Sequence, residues 1–334
     1  MSEQHLISVV VIGRNEGARL ERCLASVAEM QTDGFAIETI YVDSGSTDLS
    51  LAIARRFGAN TISLQATRPT AAMGRNAGWK AALGSIVLFL DGDTILHPQF
   101  VVDSLDGFDD PTIAVIWGHR RESHPENSVY NRVLDLDWIY APGFVPFCGG
   151  DTLCRKDVLE ATGGFDETLI AGEEPELCRR ILGFGSRILH VDRAMTRHDL
   201  AITRFSQYWK RATRAGHAFA EVSERFRNTE NPFWLEDARR NRNRALILLA
   251  IQIVAVVSIP LGMDWLSSLL VTLLWIFVLR TAWKARWKSN DPMTLLLYGV
   301  HSQLQQIPIY VGQMQYRMYR GRGRQASLVE YKGN

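Results

Sequence analysis

Short apolar runs that stop on polar turns recur along the first part of the chain. Leu6 to Ile12 is a β-branched run ending in Gly13-Arg14-Asn15-Glu16-Gly17, and behind it Leu20, Cys23, Leu24 and Val27 repeat at helical spacing. Strand, loop and helix in that order open a βαβ unit. Thr39 to Val42 repeats the design, running into Asp43-Ser44-Gly45-Ser46-Thr47-Asp48 before a helix with Leu51, Ile53, Ala54 and Phe57. Another strand is read around Asn60 to Leu64, and Gly74-Arg75-Asn76-Ala77-Gly78 is read as opening the helix that leads to Ile86-Val87-Leu88-Phe89-Leu90. This alternation predicts an α/β fold, Rossmann-like, with a mostly parallel central sheet and helices on both faces.

The last of these runs ends on Asp91-Gly92-Asp93-Thr94. Open α/β sheets bind ligands beyond the carboxyl ends of their strands, so both carboxylates fall at the lip of the sheet. Two acids separated by a glycine suit Mg²⁺ or Mn²⁺ shared with substrate phosphates, although Asp and Gly also make an ordinary polar turn.

In the last third the pattern changes. Arg239, Arg240, Arg242 and Arg244 precede an apolar stretch at about 245–262, a turn at Pro260 to Asp264 follows, and a second stretch at about 265–282 leads into Lys284, Arg286 and Lys288. Each is near the lower length limit for crossing a bilayer. Basic residues flank the outer ends and none lies in the turn, which predicts a transmembrane hairpin with both outer ends cytoplasmic. A buried hairpin of a soluble protein, or a dimer interface, is the competing reading. Residues of about 293–312 are apolar but broken by His301, Gln303, Gln305 and Gln306, as in an interfacial amphipathic helix. A basic tail with Arg317, Arg320, Arg322 and Arg324 suits anionic headgroups. The expected division is a catalytic domain at 1–230 and a membrane-associated α-helical region at 231–334.

Composition narrows the class. A formal net charge of +1 over 334 residues excludes a strong polyanion-binding signature, so no nucleic-acid partner is expected. Cys23, Cys148, Cys154 and Cys178 form no C-x-x-C pair and no metal spacing, and read as reduced, mostly buried thiols. Met1 to His5 lacks a basic region followed by an apolar core, so no secretory signal is read there.

The motif series resembles the family 2 glycosyltransferases, inverting nucleotide-sugar enzymes of the GT-A fold, in their membrane-associated bacterial form. The resemblance is carried by Val9 to Glu16, Val42 to Asp48, Gly74 to Gly78 and the D-x-D element Phe89 to Thr94. It continues through Cys148-Gly149-Gly150-Asp151, Gly163-Gly164-Phe165-Asp166-Glu167 and Gly172-Glu173-Glu174-Pro175-Glu176-Leu177-Cys178-Arg179-Arg180. Singly these motifs are common; their order and spacing carry the likeness.

The resemblance implies a donor site made by Gly13, Arg14, Asn15, Glu16, Asp43, Ser44, Arg75, Asp91, Gly92 and Asp93, with Asp93 on the metal that bridges the diphosphate. Glu16 and Arg75 could instead be an exposed pair at a helix start, and Asp43 a helix N-cap. Where the family usually reads Glu-Asp, with the second carboxylate as general base, this chain has Glu173-Glu174. Glu174 is the matching base and Glu173 the runner-up; the extra methylene shifts the carboxylate by about one C–C bond length. Both could also merely favour the positive end of a helix with Pro175 in its first turn. His198 is placed to be a further metal ligand, or else bonds Asp199 or a carbonyl. Gly149, Gly150, Asp151, Trp209 and Arg211 are the acceptor-side candidates. Gln207, Trp209 and Arg211 do not reproduce the Q-x-x-R-W order of processive synthases, which favours addition of one sugar.

The expectation is therefore a membrane-associated inverting glycosyltransferase, a hexosyltransferase, acting on a nucleotide-diphosphate sugar donor and a lipid-linked or oligosaccharide acceptor. It would contact membrane lipid at the bacterial inner membrane, with its catalytic domain on the cytoplasmic face, in exopolysaccharide or cell-envelope synthesis. Homo-oligomerisation is left open. The alternatives are a processive polysaccharide synthase and a catalytically inactive glycan-binding scaffold.

Overall fold

The structure is a computed structural model and describes residues 5–322. The Met1 to Gln4 segment and Arg324 of the basic tail lie outside the described residues. The chain divides into two compact units, one of residues 1–123 with 138–199 and the other of 124–137 with 200–334. The helical unit thus begins near Leu200 and takes in the helix that starts at Phe205.

The first unit alternates strands and helices: β1 His5–Gly13, α1 Ala18–Ala28, β2 Phe35–Asp43, α2 Ser50–Arg56, β3 Asn60–Ser63, α3 Ala71–Ala81, β4 Ile86–Asp91 and β5 Thr94–Leu96. After a 3₁₀ segment at Val102–Asp109 comes β6 Ile113–Glu122; α4, Val129–Asp137, belongs to the second unit. The chain returns with β7 Gly143–Phe144, β8 Thr152–Arg155, α5 Lys156–Thr162, α6 Glu173–Gly183 and β9 Arg187–His198. One sheet runs in the order β3-β2-β1-β4-β8-β6-β9-β5, with β7 pairing β9. β1 pairs β2 and β4 in parallel, β2 pairs β3 in parallel and β6 pairs β9 in parallel, while β8, β5 and β7 are antiparallel to their neighbours. Val9, Val10 and Val11 are completely buried because β1 is central and covered on both faces.

Two sequence expectations need correction here. Gly74 to Gly78 does not open its helix: Thr70 caps α3 by accepting from the Met73 amide, and both glycines lie inside the helix against β1. A Cβ on Gly78 would overlap the Val10 side chain, and one on Gly74 would lie 3.2 Å from Ile12 Cγ2, so these glycines permit close helix–strand packing. Ile188 to Val191 reads in the sequence as a short apolar strand, but it is only the start of the much longer β9, whose irregular register with β6 carries the pairing through to His198.

The second unit comprises α4 with α7 Phe205–Arg225, α8 Leu235–Ser258, α9 Asp264–Lys284, α10 Pro292–Leu304 and α11 Gln306–Gly321. α8 and α9 are long and apolar enough to cross a membrane. Many of their apolar side chains are exposed, among them Val256, Leu269 and Ile276, so intramolecular packing does not account for their composition. The single amphipathic helix expected at 293–312 is two helices, with Asp291 capping α10 ahead of Pro292 and a break at Gln305. α7 and α11 cross backbone to backbone. A Cβ on Gly216 would collide with the Ile309 carbonyl, and one on Gly312 with the Thr213 carbonyl.

Gly216→Ala meets a wall of backbone that cannot rotate aside, so the helices must part. Expected is a loss of about 1–3 kcal/mol, measured as a lowered midpoint in thermal unfolding of the full chain. Unchanged stability would show that this crossing is loosely packed.

Candidate functional site

The parallel strands β1, β2 and β4 end side by side, Gly13 opposite Asp43 and Ile12 opposite Asp91. The loops after them therefore emerge at one edge of the sheet, where the sequence expects the donor. Asn15 adopts a left-handed backbone and ties the first two loops together. Its amide donates to Ser46 Oγ at 2.8 Å and its side-chain oxygen accepts from the Thr47 amide at 2.8 Å. Asp43 is 2% exposed and accepts from the Gly45 and Ser46 amides. It is not a helix cap, since α2 starts only at Ser50 and Asp48 accepts from the Ser50 amide. Glu16 pairs with Arg19 at 2.9 Å. Gly13 leaves room for the Glu16 and Tyr41 side chains, 3.0 and 3.3 Å from where its Cβ would stand.

The D-x-D segment sits one strand further along. The Gly92 amide donates to the Ile12 carbonyl at 2.8 Å, which turns the chain so that β5 follows at once. β5 pairs β9 with Thr94 opposite His198, and this register brings the imidazole to Asp93. His198 Nε2 lies 3.2 Å from Asp93 Oδ1, so the histidine addresses Asp93 rather than the neighbouring Asp199. One ligand atom from each of Asp91, Asp93 and His198 falls within 4.8 Å of the others. Two carboxylates and an imidazole form a donor set suited to Mn²⁺ or a similar divalent ion. Asp91 belongs to this trio as well as Asp93.

Arg75 is not part of an exposed pair. Its guanidinium is buried and faces three carboxylates: Asp91 Oδ1 at 2.9 Å, Glu173 Oε1 at 3.0 Å and Glu174 Oε1 at 3.2 Å. Burial alone would lower its pKa, but Glu174, Asp91 and Glu173 more than offset that and raise it. Glu173 and Glu174 open α6 after the left-handed Gly172, with Pro175 in the first turn, as expected. Glu173 is buried, whereas Glu174 is 20% exposed. Burial, and then the charge of Glu173, push the Glu174 carboxyl up to about 7 against the pull of Arg75.

Gly150 of the Gly149-Gly150-Asp151 turn lies against this cluster. A Cβ there would run into Arg75 Nη2 and stand 3.2 Å from both Asp91 Oδ2 and Glu174 Oε1. Asp151 is buried, accepting from the Asp91 amide at 3.0 Å and from Thr196 Oγ1 at 2.8 Å. The structure thus gives Asp151 a holding position behind Asp91. Sequence reasoning missed Arg120 and Trp138. Arg120 lies 3.5 Å from Asp91 Oδ2 and 3.6 Å from Asp151 Oδ2, with its guanidinium over the Trp138 ring at 4.7 Å, and Trp138 meets His198 edge-on at 5.1 Å. Neither residue sits in a motif; only an arginine inside a sheet strand could have drawn attention. Trp209 and Arg211 lie on α7 of the second unit.

Residues 8–158 match the family described as glycosyl transferase family 2. This stretch, a little under half of the chain, is similar to a family 2 glycosyl transferase domain. The chain is 32% identical over 142 residues to a pre-mycofactocin glycosyltransferase of Mycobacterium tuberculosis, covering 38% of this chain and 30% of that protein. The chain is also 24% identical over 188 residues to glycosyltransferase AglE of Haloferax volcanii, covering 54% of this chain and 62% of that protein. The chain therefore spans less than two thirds of the length of either relative. Among solved structures it is similar to mannosyltransferase PcManGT from Pyrobaculum calidifontis, determined with GDP-Man and Mn²⁺. The TM-score there is 0.67 at 18% identity, over 92% of this chain and 86% of that one. At that identity the likeness establishes the fold, GT-A.

Arg75→Gln leaves Asp91, Glu173 and Glu174 without their shared cation, and breaking a buried ion cluster on one side costs about 3–5 kcal/mol. Without the cation, nothing offsets the burial and the neighbouring charge that raise the Glu174 carboxyl, so its ionised form costs still more in the folded state than in the unfolded chain. The deficit should therefore grow as pH rises. Thermal unfolding at pH 5 and pH 8 checks this; an equal deficit at both would remove the electrostatic account.

Proposed function

We propose that the chain transfers a hexose from a nucleotide-diphosphate donor, with inversion, to a hydroxyl of a lipid-linked or growing glycan. The observation that carries this reading is the joining of two devices through one guanidinium. Asp91, one of three grouped candidate metal ligands, and Glu174, a carboxyl held near neutrality, both contact Arg75 Nη2. A departing nucleoside diphosphate gains negative charge, and an attacking hydroxyl must lose a proton. The two devices answer those two needs.

Asp91, Asp93 and His198 would hold the divalent ion, which when bound neutralises charge on the leaving diphosphate. The turns at Gly13 to Glu16 and Asp43 to Ser46 offer polar groups to the nucleoside at the same sheet edge. Glu174 takes the hydroxyl proton. Its partial exposure leaves it open to an acceptor, and a proton affinity near neutrality makes it both available as a base and effective as one. Glu173 is the weaker candidate because it is buried and bound to Arg75 Nη1. Asp151 and Arg120 act as positioning residues that fix Asp91 from behind.

The membrane part of the reading rests on α8 and α9. The 21 residues of α9, Asp264 to Lys284, span about 32 Å at 1.5 Å per residue, close to the hydrocarbon thickness of a bilayer. Basic residues at the outer ends favour a cytoplasmic catalytic unit at the inner membrane, where lipid-bound acceptors are concentrated.

Glu174→Gln should lower transfer by about 10²–10⁴-fold while donor affinity stays near wild type. Asp93→Asn should instead weaken Mn²⁺-dependent donor binding. Activity of the wild type should climb with pH through about 7, because the base works only once deprotonated. Nucleoside diphosphate release with candidate donors and lipid extract measures all three. Full activity of the Glu174 variant would dismiss Glu174 as base.

A further inference from the structure

The second unit contains a cavity of about 540 Å³, lined from α8, α9, α10 and the start of α11, for which the transfer chemistry has no use. Arg244 of α8, Arg280 and Lys284 of α9, and Lys288 beyond it, all line this space, and no Asp or Glu does. Arg244, Arg280 and Lys284 are exposed. Lys288 is half-buried, donates to the Leu136 carbonyl at 2.7 Å, and has its pKa lowered by that burial. Four cations around one space repel each other unless an anion lies between them.

The position of the cavity points to the source of that anion. Exposed apolar side chains run along α8 from Leu246 and along α9 up to Leu279, so Arg244 and Arg280 stand where the apolar surfaces end. Trp283 and Trp287 are exposed immediately beyond, as aromatic side chains are at the boundary between hydrocarbon and headgroups. Ile247 and Phe277 supply an apolar wall. Gln306, 5% exposed, also lines the cavity, and its side-chain oxygen is buried with no hydrogen-bond donor among the described residues. That oxygen can accept from a hydroxyl.

We propose that this cavity binds the phosphate of an anionic membrane lipid, with the phosphate among Arg244, Arg280 and Lys284 and the chain side along Ile247 and Phe277. This rests on the membrane reading of α8 and α9 given above, and not on sugar transfer. A phosphate diester carrying a hydroxylated headgroup meets both needs of the site, anionic oxygens for the cations and a donor for Gln306.

The test uses the full chain in neutral detergent, with retention of phosphatidylglycerol and of phosphatidylcholine read by native mass spectrometry. Three proteins are compared: wild type, Arg280→Gln with Lys284→Gln, and the charge-matched control Arg239→Gln with Arg240→Gln, whose sites do not line the cavity. Expected is preferential retention of phosphatidylglycerol by wild type, a loss of about tenfold or more in the cavity variant, and little change in the control. Equal loss in both variants would mean diffuse surface attraction and overturn the site, as would unchanged retention in the cavity variant. Displacement of the lipid by millimolar inorganic phosphate would assign the cavity to a soluble anion and overturn the lipid assignment. Binding of nucleoside diphosphate with Mn²⁺, followed by thermal shift in the same preparations, should not differ between wild type and the cavity variant. Its absence from wild type would count against the transfer reading while leaving the lipid result intact.

Discussion

The guanidinium of Arg75 is the constraint on which the site depends. A buried cation is tenable only if charges and hydrogen bonds replace the water it has lost, and here Asp91, Glu173 and Glu174 do so from two different elements. Arg75 comes from α3, Asp91 from the end of β4 and the two glutamates from the first turn of α6. One side chain therefore fixes the tip of a strand against the start of a helix that lies far away in sequence. The pairing is unequal in a way that matters for chemistry. Glu173 has Nη1 to itself, whereas Asp91 and Glu174 share Nη2. Glu174 is thus the less fully compensated of the two glutamates, and burial and then the charge of Glu173 raise its proton affinity against the pull of Arg75.

Backbone geometry sets how closely this cluster can assemble. Gly150 brings a turn to the edge of Arg75, Asp91 and Glu174 where no side chain would fit. Gly74 and Gly78 let α3 lie tightly on β1, which determines how far Arg75 reaches toward β4. On the other side of Asp91 the β5–β9 register delivers His198. Glycines and strand register thus do the positioning, and the charged groups are placed by them.

Legibility in the sequence followed the length scale of each feature. Strand, turn and helix at the amino-terminal end were readable because period and turn residues coincide there, and the parallel order placed Asp43 and Asp91 at one edge as expected. The Glu173-Glu174 helix start was readable from Pro175 and the preceding glycine. Gly74 to Gly78 misled because glycine marks both loops and close packing, and only the Thr70 cap distinguishes them. β9 looked short because Asp192 and Arg193 interrupt its apolar run, yet exposed polar residues on a strand do not end its hydrogen bonding. Arg120 and the sharing of Arg75 among three acids could not be read, since they depend on which strands become neighbours. β6 reaches the site only because β8 returns antiparallel between it and β4.

Charge around Asp91 links these observations to the donor set. Asp91, Asp151, Glu173 and Glu174 gather about two guanidiniums, those of Arg75 and Arg120, while Asp93 lies beside His198. Negative charge is in excess even when Glu174 is protonated, and a divalent cation at Asp91, Asp93 and His198 would largely offset it. Such an ion would also draw on Asp91, loosening that carboxylate's claim on Arg75 Nη2 and leaving more of the guanidinium to Glu174. Ion binding on one side of Asp91 would thereby be coupled to the proton affinity of the Glu174 carboxyl on the other, favouring its deprotonated form.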